Sequence, residues 1–394
     1  MMHSTLMVEE KTCAFLEQKA LPGNAELRDR YLKLIHNRRV QWTTYHALER
    51  ELGSGGQGVV YLSARRGADG FHLPVAMKVM SPERFPTAQA YQASMERMAR
   101  VASQVATIQH DNLLDVHDFV DRSSIRIMVM EWIDGLDLRQ LMSCDRLHLV
   151  EETAGEKWDY INSVIATYGT EQTRVKAGIA VAIIRECLAA MAALHRANII
   201  HGDIKPANIM IKRTGHAKLI DIGSAFELNA PPPARTCTPT YAALEVLEGG
   251  HCTPQSDLAS LGYVLIEMLA GRPCFPLDLD LAGLLEAKRN LPSALPNLLP
   301  PEVTCNPLLV NFCKNLVWAD PMRRFKSARD AELQKEGAAA FHRQLIFGDL
   351  ASEYEHDLQL WVNEMSRVEH LVTKDQVSAE NSTGNLSRDL GSNQ

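Results

Sequence analysis

The segment HGDIKPANIM, residues 201–210, brings together side chains that could act on a phosphoanhydride. It contains Asp203, Lys205 and Asn208, and Asp221 follows in the segment KLIDIGSA. A carboxylate can accept a proton, an ammonium group can neutralise a moving phosphoryl group, and amide and carboxylate oxygens can hold Mg²⁺. Phosphoryl transfer from ATP needs these functions, because its catalysis rests mainly on positioning and charge neutralisation.

A glycine-rich segment, ELGSGGQGVVYL, lies upstream and places Gly53, Gly55 and Gly58 in the pattern G-x-G-x-x-G. Glycine lets the backbone approach phosphates closely and lets amide groups point towards them. Taken alone, this motif is also compatible with a plain hairpin turn. A strand carrying Val60 follows it, which disfavours a dinucleotide-binding fold, where a helix would follow. Lys78, in VAMK, comes twenty residues after Gly58.

The order and spacing of these motifs resemble the eukaryotic-like (Hanks-type) serine/threonine protein kinase family. Lys205, two residues after Asp203, is typical of the serine/threonine branch. The resemblance covers about residues 45–340. It implies an α+β, two-lobed protein kinase fold, with a small mostly-β N-lobe containing one helix and a larger α-helical C-lobe. ATP and Mg²⁺ are the implied cofactors, bound between the lobes.

The resemblance also implies roles for individual residues. Asp203 would be the catalytic base, Lys205 would stabilise the transferred phosphoryl group, and Lys78 would bind the α and β phosphates. Asn208 and Asp221 would be the magnesium ligands.

The segment IMVMEWIDGLDL resembles the hinge between the two lobes. Met130 would face the back of the adenine pocket, and the backbones of Glu131 and Ile133 would hydrogen-bond adenine. An ordinary edge strand is the alternative reading of this segment. The residues expected around the nucleotide are Gly53, Ser54, Gly55, Gly56, Gln57, Gly58, Val60, Ala76, Lys78, Glu96, Met130, Glu131, Ile133, Asp137, Asn208, Met210 and Asp221.

Protein kinases pair the nucleotide-binding lysine with a glutamate on the following helix. Glu96 is the only carboxylate between residues 84 and 110 and is therefore the best candidate. It lies fourteen residues before His110, whereas the position closer to the family spacing is near Val101. The alternative is that Glu96 is exposed and pairs with Arg100 one helical turn later.

Two positions depart from the family pattern. Gly202 stands where the family has an arginine before the catalytic base, and Ile222 stands where it has a phenylalanine. The arginine normally pairs with a phosphorylated activation segment. Its replacement predicts that activity does not require phosphorylation of the segment 224–240.

Three later motifs resemble the protein-substrate branch of the family. CTPTYAALEVL, residues 237–247, resembles the end of an activation segment, with Thr238 near the base and Glu245 as a structural acid. Asp257, in QSDLASLG, would brace the catalytic loop. Arg324, in ADPMRRF, would be the ion-pair partner of Glu245.

These residues must be brought together by strands and helices. The sequence predicts five strands and a helix over 88–109 in the N-lobe, and helices over 173–196, 256–271 and 307–325 in the C-lobe. The predicted organisation is a helical N-terminal extension (1–43), an N-lobe (44–134), a C-lobe (135–340) with an insertion at about 143–172, a C-terminal helical extension (341–370) and a disordered tail (371–394).

Composition excludes several classes of protein. A net charge of −7 argues against nucleic-acid binding, and eight cysteines without a C-x-x-C pair argue against zinc or disulfide scaffolds. The N-terminus lacks the apolar core of a signal peptide. The longest apolar run, 177–194, is interrupted by Arg185 and Glu186, so we expect no membrane span and a cytoplasmic location.

The sequence therefore predicts a kinase that transfers the γ-phosphoryl group of Mg-ATP to serine or threonine hydroxyls of protein substrates. One alternative is a small-molecule kinase of the aminoglycoside or choline type, which also uses a His-Gly-Asp loop. Another is a pseudokinase that acts as a binding or scaffold module. The N-terminal helices are candidates for binding a partner or for self-association.

Overall fold

The computed structural model describes residues 46–232, 237–347 and 353–369. The chain divides into two compact units, and of the first the structure describes residues 46–47 and 65–73, with a short 3₁₀ turn at Ala68–Gly70. The second unit contains the remainder of the chain, including all of the predicted site residues. The helices predicted for residues 1–43 and the tail predicted to be disordered, 371–394, lie outside the described residues.

A five-stranded sheet forms the N-terminal part, as predicted. The strands pair in the order β1-β2-β3-β5-β4. The β3–β5 pair is antiparallel and sets Ala76 opposite Met130 and Lys78 opposite Met128. The five strands are β1 (His46–Gly55), β2 (Gly58–Arg66), β3 (His72–Met80), β4 (Val116–Arg122) and β5 (Ile125–Glu131).

Helix α1, Ala88–Val105, lies between β3 and β4 in the chain and is shorter than the predicted 88–109. The Thr87 hydroxyl caps it by accepting a hydrogen bond from the Ala90 N–H. Its apolar residues recur every three or four positions, so they bury one face of the helix. The buried residues are Tyr91, Met95, Met98, Val101, Ala102 and Val105.

The segment 143–172, predicted as a polar insertion, is built from regular elements that pack on the C-terminal core. Leu147, Val150, Ile161 and Ile165 are fully buried there. The elements in this part of the chain are β6 (Gly135–Asp137), α2 (Leu138–Leu141), α3 (Cys144–Thr153), α4 (Lys157–Tyr160), β7 (Ala166–Tyr168) and β8 (Thr173–Val175).

Helix α5, Ala177–Arg196, runs through the C-terminal core. By length and composition alone it could cross a membrane, but 61% of that stretch is buried inside the structure, as in the core helix of a globular domain. Four short strands after it carry the loops of the candidate site: β9 (Ile199–Ile200), β10 (Ile209–Lys212), β11 (Ala217–Leu219) and β12 (Phe226–Glu227).

The rest of the C-terminal part is helical. Helix α7 is buried along almost its whole length and ends just before Gly271, as predicted. The helix predicted over 307–325 is wrong in its second half: it ends at Val317, and Pro321 starts a short 3₁₀ turn capped by Asp320. The helices are α6 (Leu244–Leu247), α7 (Pro254–Ala270), α8 (Leu281–Leu298), α9 (Pro301–Thr304), α10 (Pro307–Val317), α11 (Ala328–Leu333), α12 (Ala338–Phe347) and α13 (Tyr354–Arg367).

Candidate active site

A carboxylate on α7 accepts hydrogen bonds from the backbone of the loop between β9 and β10. Asp257 accepts hydrogen bonds from the backbone N–H of His201 at 2.9 Å and of Gly202 at 3.0 Å. The ring of His195 contacts the same carboxylate at 2.9 Å. Burial opposes ionisation of Asp257, but these partners outweigh it and hold its pKa below the usual range. Asp257 therefore lies where the sequence predicted a brace for this loop.

Three side chains meet at the carboxylate of Asp203. Lys205 Nζ lies 2.6 Å from Asp203 Oδ2, and the Thr238 hydroxyl donates to Oδ1 at 2.9 Å. Lys205 also donates to the Thr238 hydroxyl at 3.0 Å. Asn208 Nδ2 donates to the backbone oxygen of Asp203 at 2.7 Å and to its Oδ2 at 3.3 Å. The predicted base, ammonium group and amide are thus adjacent in space, and the 237–247 segment reaches them through Thr238.

Asp221 follows β11 and faces Lys78 of β3. The two side chains form an ion pair of 2.6 Å, and the Gly223 N–H donates to the same oxygen, Oδ1, at 3.0 Å. Burial works against the charge of Asp221, but the charge and hydrogen bond of Lys78 outweigh it and lower the pKa of Asp221. Asp221 is therefore an ionised carboxylate in the site.

Asn208 and Asp221 fit the magnesium role that the sequence predicts for them. Asn208 uses its nitrogen for Asp203, and Asp221 uses Oδ1 for Lys78 and Gly223. Within the described residues, the remaining oxygen of each side chain accepts no protein hydrogen bond. Hard oxygen ligands suit Mg²⁺, which usually keeps waters and binds substrate phosphates as well. Across the described ranges there is no cluster of three or more His, Cys, Asp or Glu residues that could hold a metal ion.

The glycine-rich loop joins β1 to β2 at the N-terminal side of the site. Gly53, Ser54, Gly55 and Gly56 are exposed, and the space beside the three glycines is open. Open backbone of this kind can approach a phosphate group closely.

The predicted adenine-binding residues are arranged around the hinge. Val60 is partly buried, and Ala76 and Met130 are buried neighbours on paired strands. Ile133 is partly buried, and Met210 pairs with Asp137 across the β10–β6 ladder.

The side chains of Glu131 and Asp137 already have ion-pair or hydrogen-bond partners within the protein. The Glu131 side chain pairs with Lys218 and accepts from the Asp115 N–H at 2.6 Å. Asp137 caps α2 by accepting from the Gln140 N–H at 2.9 Å, and burial raises its pKa. A ribose hydroxyl at Asp137 would therefore share a carboxylate that already has a structural partner.

The structure does not bring Glu96 to Lys78, so the predicted pair is wrong. Glu96 is exposed on α1 and accepts a hydrogen bond from Gln92 Nε2 at 3.0 Å. The alternative partner, Arg100, does not pair with it either. The position nearer the family spacing is Val101, which is buried in the apolar face of the helix. In the described structure α1 therefore supplies no carboxylate to Lys78.

Gln57 reaches the site in a way that the loop motif did not indicate. Its Oε1 accepts from Lys78 Nζ at 2.8 Å, and its Nε2 donates to the Ser224 hydroxyl at 2.9 Å. A Cβ atom on Gly223 would lie 2.0 Å from Gln57 Oε1, so a larger residue there would displace the Gln57 side chain. The glycine after Ile222 is the one sequence signal of this close approach.

The segment after Thr238 is anchored to the C-terminal helices. Arg324 forms two hydrogen bonds of 2.8 Å to the two carboxylate oxygens of Glu245, the predicted partner. Burial opposes the charge of Glu245, but the hydrogen bonds and charge of Arg324 lower its pKa overall. Lys288, which is fully buried on α8, donates to the backbone oxygen of Thr240 at 2.7 Å. Lys288 is a further contact that the sequence did not indicate.

Comparison with known proteins agrees with this geometry. Residues 46–333 match the family described as protein kinase domain. A probable serine/threonine-protein kinase of Streptomyces coelicolor is 30% identical over 72% of this chain and 38% of its own length. Serine/threonine-protein kinase PrkC of Bacillus subtilis is 27% identical over 72% of this chain and 39% of its own length.

A third relative, serine/threonine-protein kinase PknD of Mycobacterium tuberculosis, is 28% identical over 76% of this chain and 40% of its own length. The chain thus spans about two fifths of the length of these curated relatives. The family match extends over both the five-stranded sheet and the helices that carry the candidate site. The chain belongs to the Hanks-type serine/threonine protein kinase family.

Proposed function

We propose that this chain transfers the γ-phosphoryl group of Mg-ATP to serine or threonine hydroxyls of protein substrates. The observation that carries the proposal is the cluster formed by Asp203, Lys205 and Thr238. The Thr238 hydroxyl donates to Asp203 Oδ1 at 2.9 Å, which is the contact that an acceptor hydroxyl makes with a catalytic base. Lys205 stands 2.6 Å from the other oxygen of Asp203, where it can neutralise charge on a phosphoryl group in transit.

The nucleotide lies under the glycine-rich loop in this proposal. The open backbone of Gly53–Gly56 receives the phosphates, and Lys78 donates to the α and β phosphates. Bound Mg²⁺ would neutralise the charge of the phosphates, with Asn208 and Asp221 as its protein ligands. Asp203 orients the acceptor hydroxyl and takes its proton.

The choice of protein hydroxyls as acceptors rests on three supports. Lys205 follows the base at the spacing of the serine/threonine branch, and Thr238 joins the 237–247 segment to the base. The curated relatives are serine/threonine-protein kinases by name.

The test of this function is Asp203→Asn. The amide keeps the shape of the carboxylate but is a poor proton acceptor, so phosphoryl transfer to a generic serine/threonine substrate should fall by at least about 100-fold. Binding of Mg-ATP, measured by calorimetry, should stay within about threefold of wild type, since Asp203 is not among the predicted nucleotide ligands. Full transfer activity in the variant would remove Asp203 from the role of base.

The proposed kinase acts without phosphorylation of its activation segment. Gly202 has a φ of +76°, a backbone conformation that disfavours the arginine usual in the family, and a Cβ there would lie 3.1 Å from the Ser224 oxygen. No guanidinium group is therefore available at this position to bind a phosphate. Phosphatase-treated protein, checked by mass to be unmodified over 224–240, should keep its activity. Activity that is lost and then returns on rephosphorylation there would contradict the proposal.

A second candidate function is a nucleotide-binding scaffold without transfer activity. The observation that favours it is the absence of a carboxylate from α1 beside Lys78. A thermal shift with ATP that depends on Mg²⁺, together with label transfer, separates the two functions: the scaffold gives the shift alone. Label on a small alcohol and never on protein would instead favour a small-molecule kinase.

A further inference from the structure

We infer that Gln57 is the positioning residue that holds Lys78 for the nucleotide phosphates, in place of an acid on α1. The inference rests on the proposed function, and it assigns the positioning of Lys78 to the glycine-rich loop. Lys78 has two side-chain partners among the described residues: Asp221 at 2.6 Å and Gln57 at 2.8 Å. Asp221 is the predicted magnesium ligand, so Gln57 is the partner left to orient the lysine when Asp221 binds the ion.

The orientation of the Gln57 amide is fixed by its two contacts. A lysine ammonium group can only donate, so the side-chain oxygen of Gln57 must face Lys78. The nitrogen then points to the Ser224 hydroxyl, 2.9 Å away, in the turn that follows Asp221. The amide therefore links the glycine-rich loop to both sides of the phosphate site.

The backbone around Gln57 supports the same placement. The Ser81 N–H donates to the backbone oxygen of Gln57 at 3.0 Å, which ties the loop to the end of β3, the strand that carries Lys78. Gly223 leaves the space for the amide, because a Cβ there would lie 2.0 Å from Gln57 Oε1 and 2.9 Å from Lys78 Nζ.

The chemistry of an amide differs from that of the expected acid. A carboxylate on α1 would neutralise part of the charge of Lys78, whereas the neutral Gln57 oxygen adds no negative charge to that of Asp221. The element that carries the partner of Lys78 differs as well: Gln57 lies in the glycine-rich loop and not on α1. A lysine held by Gln57 is positioned by the glycine-rich loop, and its placement does not depend on α1. Gly202 and Val101 thus remove two separate regulatory contacts, and Gln57 takes over one of them.

The experiment compares wild type, Gln57→Leu and Ser224→Ala, with Gln92→Ala as the matched control on α1. Calorimetry measures binding of Mg-ADP and of adenosine, and steady-state assays give kcat and KM for ATP. Gln57→Leu keeps the side-chain volume but removes both hydrogen bonds. It should weaken Mg-ADP binding about tenfold and lower kcat by a similar factor, while adenosine, which has no phosphate, binds as before.

Ser224→Ala removes only the hydroxyl that accepts from the Gln57 amide. It should weaken Mg-ADP binding and lower kcat by smaller factors than Gln57→Leu does. The double variant should be no worse than Gln57→Leu, because both substitutions act through one contact. Gln92→Ala should match wild type in every measurement. Because leucine also removes polar contacts from the fold, thermal unfolding of each variant is measured. A variant that binds Mg-ADP more weakly but binds adenosine as wild type does has lost the positioning of Lys78 and is not misfolded.

The inference is overturned if Gln57→Leu binds Mg-ADP and turns over ATP as wild type does. It is also overturned if ADP and adenosine weaken equally. These outcomes leave the proposed function intact when wild type transfers phosphate. If wild type transfers none but Gln57→Leu still loses affinity for Mg-ADP alone, the assignment of Gln57 stands and the proposed function falls.

Discussion

Arg324 and Glu245 face each other with two parallel hydrogen bonds, each 2.8 Å long. The guanidinium group is buried, and its Nε donates to the backbone oxygen of Trp318 at 2.7 Å. The Ser256 hydroxyl donates to Glu245 at 2.8 Å. This pair fastens the end of the 237–247 segment to the loop after α10, and so it fixes the segment that presents Thr238 to the base.

Removing one partner of this pair should be costly. Glu245→Gln leaves the buried charge of Arg324 without its counterion, and we expect a loss of about 3–5 kcal/mol in the free energy of unfolding, measured by urea denaturation. Glu248→Gln is the control, since Glu248 pairs with Arg289 on the surface and should cost less than about 1 kcal/mol. Equal losses in the two variants would contradict a structural role for the Arg324 pair.

Thr238 should affect the rate of transfer more than nucleotide binding. Thr238→Ala removes the hydroxyl that contacts both Asp203 and Lys205, and kcat should fall by about tenfold with little change in KM for ATP. Thr238→Ser keeps the hydroxyl and should restore most of the rate. Steady-state kinetics on one protein substrate make the comparison. An alanine variant as active as wild type would show that the contact has no role in catalysis.

Substitution of Lys78 should lower activity far more than substitution of Glu96. Lys78→Met removes the cation beside Asp221 and should lower kcat/KM by at least about 100-fold. Glu96→Ala removes an exposed carboxylate whose partner is Gln92, and activity should stay within about twofold. Both values come from the same kinase assay. A large loss in Glu96→Ala would mean that α1 reorganises to bring this acid to Lys78 during turnover.

Lys288 gives the stability a pH dependence. Burial, the largest effect, lowers the pKa of Lys288 to about 7 from an ordinary 10.5. Between these values the unfolded chain binds one more proton than the folded chain, so this residue makes stability rise as the pH increases above about 7. The ammonium form, which is present below that pH, donates to Thr240 and lies over the rings of Tyr263 and Phe275, at 4.0 and 4.3 Å.

Lys288→Met removes this titration. The difference in the free energy of unfolding between wild type and the variant should therefore change by about 1 kcal/mol per pH unit from pH 7 to 9. Urea denaturation at several pH values measures the difference, and other titrating groups cancel in it. A difference that does not vary with pH would contradict the shifted pKa of Lys288.

Residues that lie close together in the sequence were the most predictable part of the site. Asp203, Lys205 and Asn208 share one loop, so their order in the chain nearly fixes their proximity. Asp257 and Arg324 could be predicted only through the family resemblance, since their partners are distant in sequence. Hydrophobic periodicity predicts the strands and most helices, but it extends the helix that begins at Pro307 beyond Val317, because periodicity takes no account of the break at Pro321.

Some contacts between side chains from separate elements have no signal in the sequence. Glu96 was chosen because it is the only acid on α1, but the helical phase turns it to solvent and turns Val101 inward. Gln57 lies in the glycine-rich motif, but the motif does not indicate its contacts with Lys78 and Ser224, and Lys288 belongs to no motif. A lone glutamine or lysine in a sequence is far more often a solvated surface residue than a site residue.

The central claim is that Asp203, Lys205, Asn208 and Asp221 together move a phosphoryl group from ATP to a protein hydroxyl. The most direct measurement is incubation of the purified chain with γ-labelled ATP, Mg²⁺ and a generic protein substrate, followed by identification of the labelled amino acid. Our account predicts phosphoserine or phosphothreonine that disappears when Mg²⁺ is chelated. Intact, magnesium-dependent ATP binding with no label on any serine or threonine would contradict it.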